Sequence, residues 1–397
     1  AELPELPSGK KEGAGGWLAY NAGDLKIYAA KGDGTPDFYA YDTRTNAWAP
    51  LTPIPAGAEQ ALPQDGCRGV TDDGDMVYMT KGANTLGFWG YTISTASWTQ
   101  LADVPEGKHK VKGGTDLAYV TVGDVGYVYL LKGQGCEFYR YNTQTGEWSS
   151  LADAPCGKNG LWLAGSWLVY DGDHSLYAHK ALSQEMYRFD LLSGAWDPDA
   201  IDGMPQAGSD GGKVQLGPGG CAAWLVGAVF ALKGNNTNQL WAYVPGNGWH
   251  ELDAMPETGT SGQKKRVHLG GDITATENML YAFKGSKTNE LWRCVPYPEP
   301  GDGGAMAGRT PIARFALSVA PNPMRHGAAI RYAVPAPTNV SLKLYDITGS
   351  LAKTVRSGWV KPGSYTAKLS PKGLARGVYI LKMRSDACDL TRKVVIE

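Results

Sequence analysis

Tyr28-Ala29-Ala30-Lys31-Gly32, followed by Asp37-Phe38-Tyr39-Ala40-Tyr41-Asp42 and then by Trp48, decides how this chain is read, because the same succession comes back five times. Tyr78-Met79-Thr80-Lys81-Gly82 leads to Phe88-Trp89-Gly90-Tyr91 and Trp98; Tyr129-Leu130-Leu131-Lys132-Gly133 leads to Glu137-Phe138-Tyr139-Arg140-Tyr141 and Trp148. Tyr177-Ala178-His179-Lys180 leads to Glu185-Met186-Tyr187-Arg188-Phe189 and Trp196, and Phe230-Ala231-Leu232-Lys233-Gly234 to Leu240-Trp241-Ala242-Tyr243 and Trp249. The last copy, Tyr281-Ala282-Phe283-Lys284-Gly285, reaches Glu290-Leu291-Trp292 and stops without its final tryptophan.

A period of about fifty residues made of short strand-like runs is the pattern of propeller blades. Each copy parses as four antiparallel strands. The first is apolar and flanked by glycine, as in Gly16-Trp17-Leu18-Ala19-Tyr20, and lines the central channel, where small residues fit. The second ends at the Lys-Gly step. The third alternates aromatic residues with period two, as a strand with distinct faces does. The fourth follows a turn such as Asn142-Thr143-Gln144-Thr145-Gly146 and carries the tryptophan. A Leu-x-x-apolar-Pro exit then leads onward: Leu51 to Pro55, Leu101 to Pro105, Leu151 to Pro155, Leu252 to Pro256.

The Tyr-rich third strand, the tryptophan in the fourth and the proline exit resemble kelch repeats, which form β-propellers. That family places Gly-Gly where this chain has Lys-Gly in five copies and Lys180-Ala181 in the other. The resemblance implies a six-bladed propeller over residues 1–298. Because the sixth copy lacks its outer strand, Ala1–Pro7 is expected to supply the tail of one: Glu2-Leu3-Pro4-Glu5-Leu6-Pro7 aligns with Glu251 to Pro256. A three-stranded last blade with a frayed edge, or an edge open to a strand from another molecule, is the expectation for the remainder.

After a Pro/Gly linker, 299–312, the pattern changes. Pro321-Asn322-Pro323, Leu344-Tyr345-Asp346-Ile347-Thr348-Gly349, Gly377-Val378-Tyr379-Ile380 and the closing Arg392-Lys393-Val394-Val395-Ile396 occur in that order. Residues 313–397 thereby resemble the C-terminal sorting domain of type IX secretion, which implies an Ig-like sandwich and export across the outer membrane of a Gram-negative bacterium. The whole is read as all-β: a kelch-type six-bladed propeller plus an Ig-like sandwich.

The bulk numbers agree. With 53 Gly, 24 Pro and many Tyr and Trp, the 397 residues read as β structure with tight turns. A formal net charge of −1 gives no global field for nucleic acid or an anionic membrane. No apolar run approaches the ~20 residues of a membrane span. The start at Ala1, without a basic-then-apolar leader, reads as a mature form with its export signal removed.

The lysines Lys31, Lys81, Lys132, Lys180, Lys233 and Lys284 share one position in six blades and are expected to ring one face. Hairpin partners follow in Asp37, Glu137, Glu185, Gln239 and Glu290, with Gly87 standing opposite Lys81. Two uses compete: salt bridges stapling the hairpins, and a cationic collar for an anionic glycan, with Lys81 its most available member. Acidic turns such as Asp171-Gly172-Asp173 match no Ca²⁺ loop, no Cys/His cluster suggests zinc, and no Tyr/His/Cys set suggests a copper-radical oxidase. The expectation is no metal, no cofactor and no catalytic residue. Cys136 and Cys156 fall in loops that share a face, so a disulfide between them fits an exported protein. Cys294 and Cys388 are a weaker pair. Function is expected to be that of a surface interaction platform or subunit of an extracellular assembly or filament, adding strands from other copies or surface components. The alternative is glycan binding or processing at the lysine face.

Overall fold

The computed structural model describes all residues except 8, 158–159, 210, 277, 297–314, 326, 335–337, 361–362, 386–387 and 397. In it the repeat becomes six antiparallel sheets. From inside outward the first is Trp17–Asn21, Lys26–Ala30, Phe38–Asp42 and Ala47–Pro50. The second, third and fifth repeat it, with inner strands Cys67–Thr71, Asp116–Val122 and Cys221–Leu225. In the fourth, which begins at Trp167–Tyr170, the outer strand comes in two pieces, Ala195–Trp196 and Ile201–Asp202. Each inner strand packs on the next, and that of the sixth sheet, Asp272–Ala275, on the first, giving a propeller-like ring.

Alternation in the third strand is what holds neighbouring blades together. Tyr28, Ala30, Phe38 and Ala40 pack against Val77, Met79 and Tyr91 of the second blade. Their neighbours Ile27, Ala29, Tyr39 and Tyr41 pack the other way, against Tyr281, Phe283 and Leu291 of the sixth. Both faces of every blade are therefore core, and each large apolar side chain buried here contributes about 1.5–3 kcal/mol. The outer tryptophans add a bond across five of the six seams. Trp98 Nε1 donates to Thr52 O at 2.9 Å, Trp148 to Ala102 O at 2.8 Å and Trp249 to Asp202 O at 2.9 Å.

The ring closes with its own residues, which corrects the expected unfinished edge. Glu2–Leu3 forms the fourth strand of the sixth sheet, with Glu2 opposite Trp292 and Leu3 opposite Leu291. The alignment with Glu251–Pro256 explains why so short a strand suffices. Leu6 is buried where Ile54 and Val104 are buried in other blades. Trp48 Nε1 bonds Pro4 O at 2.9 Å, as its counterparts bond the outer or exit segment of the preceding blade. Association by strand addition to an incomplete sixth blade is accordingly set aside.

A ring of glycines opens the inner strands. Gly15, Gly66, Gly114, Gly165, Gly219 and Gly270 all have φ between 82° and 97°. A Cβ at Gly165 would stand 1.9 Å from Gly217 O, and one at Gly15 2.1 Å from Gln64 O. Backbone of one blade thus touches backbone of the next, where no side chain fits. Gly165→Ala is expected to destabilise by more than the ~1–3 kcal/mol that positive φ alone costs, read as a lowered thermal midpoint. Gly172→Ala, with similar φ but open space around it, isolates the φ contribution.

The chain divides into two compact units, Ala1–Asp302 and Gly303–Glu397; the expected linker 299–312 lies wholly outside the described residues. The second unit is sandwich-like. One sheet is Ala316–Ala320, Ala328–Val334 and Gly363–Leu369; the other, in spatial order, is Leu351–Val360, Thr338–Asp346, Gly377–Ser385 and Cys388–Ile396. Val340, Leu342 and Leu344 alternate inward to meet Leu381, Met383, Val394 and Ile330. The short motifs serve as ties: Asp346 caps the amides of Thr348 and Ser350, and Asn322 bonds Val395 N and Lys393 O, joining the start of this unit to its end.

Candidate functional site

The six lysines lie at one register, each following the residue opposite Trp17, Arg68, Asp116, Trp167, Cys221 or Asp272 of its inner strand. They are buried, at 0–2% exposure, and none forms a collar open to solvent. Each ammonium instead donates to a carbonyl of the exit segment arriving from the preceding blade. Lys31 bonds Pro7 O at 2.7 Å, Lys81 Ala56 O at 2.8 Å, Lys132 Pro105 O at 2.7 Å and Lys233 Pro205 O at 2.9 Å. Lys284 bonds Glu257 O at 3.1 Å, and Lys180 bonds Cys156 O. An aromatic ring lies beneath each charge: Trp89 at 4.3 Å from Lys81, Trp292 at 4.7 Å from Lys284, Trp241 at 4.9 Å from Lys233 and Tyr39 at 5.2 Å from Lys31.

Within the hairpins, Asp37 and Glu185 stand 3.6 Å from Lys31 and Lys180, and Glu290 2.6 Å from Lys284. Glu137 accepts from the Lys108 amide at 2.6 Å, and Gln239 from the Trp241 indole at 3.3 Å. Burial pulls Lys31, Lys132 and Lys180 down from the usual lysine range, and the neighbouring carboxylate in each case opposes it. For Lys81, burial is opposed chiefly by Glu59. The lysine of the repeated Lys-Gly step thus stitches blade to blade. Sequence spacing pointed to the in-hairpin acids and missed the exit carbonyls, which carry no side-chain signal.

Cys136 and Cys156 are joined as a disulfide, with Cα atoms 5.6 Å apart. Cys67, Cys221 and Cys294 are free thiols; the Cys388 side chain lies outside the described residues.

On the axis lies a set that sequence reading did not single out. Trp17, Arg68, Asp116, Trp167, Cys221 and Asp272 occupy the same place in successive inner strands. The pattern is nearly two copies of Trp, variable, Asp, three blades apart. Both aspartates cap the following blade: Asp116 accepts from Leu168 N at 2.8 Å and Asp272 from Leu18 N at 2.6 Å. Arg68 stands between them, its Nε 3.5 Å from Asp116 and its Nη1 donating to Gly16 O at 3.2 Å. Burial pushes Asp116 up to about 6, with Arg68 opposing, and raises Asp272 for the same reason. The recess at the mouth is lined by the glycine ring with Asp65, Arg68 and Thr115. Among the described residues no cluster of His, Cys, Asp and Glu is arranged to hold a metal.

His179 is likewise structural. Its Nε2 accepts from Met204 N at 2.8 Å while Nδ1 faces Lys180 O at 2.8 Å, so the buried ring is neutral and burial lowers it to about 4. An unfolded histidine titrates near 6.5. Between the two values the unfolded chain binds more protons, so this group's stabilisation is complete above about 6.5 and drains away as pH falls to about 4, by about 3 kcal/mol. Asp116, raised, works oppositely, losing stabilisation as pH rises through about 6. The expected result is that His179→Gln flattens the acid limb of the melting profile relative to the parent protein.

A secretion system C-terminal sorting domain is the family matched by residues 318–397. No curated protein matches the chain. Among solved structures, that of YjhT is similar at 15% identity and a TM-score of 0.51, over 74% of this chain and 99% of its own. A protein of unknown function from Bacteroides thetaiotaomicron is similar at 14% identity and a TM-score of 0.50, over 74% and 71%. Both likenesses concern fold alone. The sorting domain marks a protein secreted by the type IX route, located outside the cell or at the outer-membrane surface of a Gram-negative bacterium.

Proposed function

We propose that the protein is a non-enzymatic interaction platform of the bacterial surface, built on a kelch-type six-bladed propeller and delivered by its sorting domain. One observation carries this reading: the charged groups nearest the axis and the lysine ring are committed to intramolecular partners, Arg68 to Asp116 and Gly16, and the lysines to exit carbonyls. Groups so committed set the geometry of the blades and leave recognition to the loops. The lysine-face glycan reading loses its support, since Lys81 is 2% exposed and bonded.

The test is made in a type IX-competent host. The full chain is expected on intact cells or in the medium within complexes larger than one chain. A variant lacking residues 318–397 is expected to stay in the cell. Strictly monomeric, unattached protein at every concentration would overturn the platform.

A further inference from the structure

The net charge of −1 is the sum of two strongly charged units of opposite sign. Residues 1–302 carry 23 Lys and Arg against 35 Asp and Glu, and residues 303–397 carry 15 against four, which gives −12 for the first unit and +11 for the second.

In the second unit none of the basic side chains at described positions is buried. The acids described there are already engaged: Asp346 caps Thr348 and Ser350, and Asp389 lies 2.9 Å from Arg384. Pleating gathers part of the positive charge on one surface. Leu342, Leu344, Leu381, Met383 and Val394 face the core. The alternate residues Lys343, Tyr345, Ile380, Lys382 and Lys393 therefore share the outer surface of the four-stranded sheet. Lys343 stands directly opposite Lys382, whose ammonium is 5.8 Å from the centre of the Tyr345 ring. Like charges placed so lower stability. The core does not call for them, since both side chains lie outside it.

In the propeller unit negative charge collects at one end. Strand order puts the turns joining first to second and third to fourth strands together there. Blade 2 supplies Asp72, Asp73 and Asp75, blade 3 Asp124, and blade 4 Asp171 and Asp173, none of them buried. The basic residues at the described positions of these turns, Lys26 and Arg44, are each paired within their own blade, to Asp24 and Asp42. The opposite end mixes the signs, with Lys110 beside Glu59 and Arg266 beside Glu257. Asp72 and Asp171 cap turn amides, yet Asn142 does the same work uncharged in blade 3, so capping does not require the charge. Leu192, 77% exposed, rises from the same end.

We propose that the lysine-bearing sheet of one chain docks on the acidic end of the propeller of a second copy, with Leu192 meeting the apolar surface of Tyr345 and Ile380. This rests on the platform reading and names its partner, another copy of this chain. The near-cancellation of +11 and −12 is what makes the chain its own complement. Because the two surfaces differ, the contact is heterologous and propagates head to tail instead of closing on a pair.

The test uses the purified full chain and sedimentation over a range of concentrations at low salt. Asp72→Asn/Asp124→Asn/Asp171→Asn/Asp173→Asn discharges the propeller end while keeping its caps. Lys343→Gln/Lys382→Gln/Lys393→Gln discharges the sheet, and relief of the Lys343–Lys382 repulsion is expected to leave its melting midpoint unchanged or raised. The parent is expected to form species that lengthen with concentration and shorten as salt is raised past ~0.15 M. Each variant alone is expected to associate at least ~10-fold more weakly than the parent. Mixed, they are expected to form a 1:1 pair and nothing larger, because one intact sheet then meets one intact propeller end. Leu192→Ser is expected to weaken parental association with no change in melting midpoint.

Association of either variant at parental strength, or a mixture that stays dispersed while the parent assembles, overturns the contact and leaves the platform standing. So does a parent that is monomeric at every concentration yet attaches to cells. If that monomer binds dextran sulfate and the sheet variant does not, the partner is a polyanion instead of a second copy. A parent that neither assembles nor attaches removes the platform itself.

Discussion

Deletion of residues 1–7 is expected to lower the stability of the ring by at least ~5 kcal/mol and to cause irregular aggregation through the bared strand edge. Four losses coincide. Leu6, 2% exposed, leaves the core at a cost of about 2–3 kcal/mol. The Lys31 ammonium loses the Pro7 carbonyl while its Asp37 partner remains 3.6 Å away, leaving a buried charge under-coordinated. The Trp48 indole loses Pro4 O. Leu291–Cys294 becomes a bare edge, which templates pairing with other chains. Thermal melting and size-exclusion profiles check both parts. A midpoint within experimental scatter of the parent would mean that the seam between blades 6 and 1 is held by something else.

The second large effect is expected at the best-buried ion pair. Lys284 and Glu290 have side chains 0% and 1% exposed, 2.6 Å apart. Lys284→Met is expected to cost about 3–5 kcal/mol, because it strands the Glu290 carboxylate away from water. Lys284→Met/Glu290→Gln is expected to recover most of that, since a glutamine oxygen still accepts from the Trp292 indole, 3.0 Å from Glu290 Oε2. Lys81→Met, whose lysine has no acid in its hairpin, is expected to cost only about 1–2 kcal/mol for a carbonyl bond and the stack on Trp89. Equal losses at Lys81 and Lys284 would contradict the stranded-charge account. Denaturant midpoints decide the ranking.

The sixfold recurrence, the four-strand parse and the Glu2–Pro7 alignment were legible because they are written in side chains at fixed spacing. The burial of the lysines was not. Their acceptors, such as Pro7 O and Ala56 O, are backbone groups 24 and 25 residues away that any residue supplies. The axial set escaped notice for a related reason. Trp17, Arg68, Asp116, Trp167, Cys221 and Asp272 are chemically unlike, so their shared place shows only when the strands are laid in register.

The pairing of Leu3 with Leu291 has a consequence for the order of events in the life of the chain. Segments nearly three hundred positions apart must meet before the first blade gains its second neighbour, and joining such distant segments is slow in proportion to the entropy it consumes. The strand Glu2–Leu3 is therefore among the last elements of the ring to be seated. Until then blades 1 and 6 each leave an apolar flank uncovered, Ile27 and Tyr41 on one side and Tyr281 and Phe283 on the other.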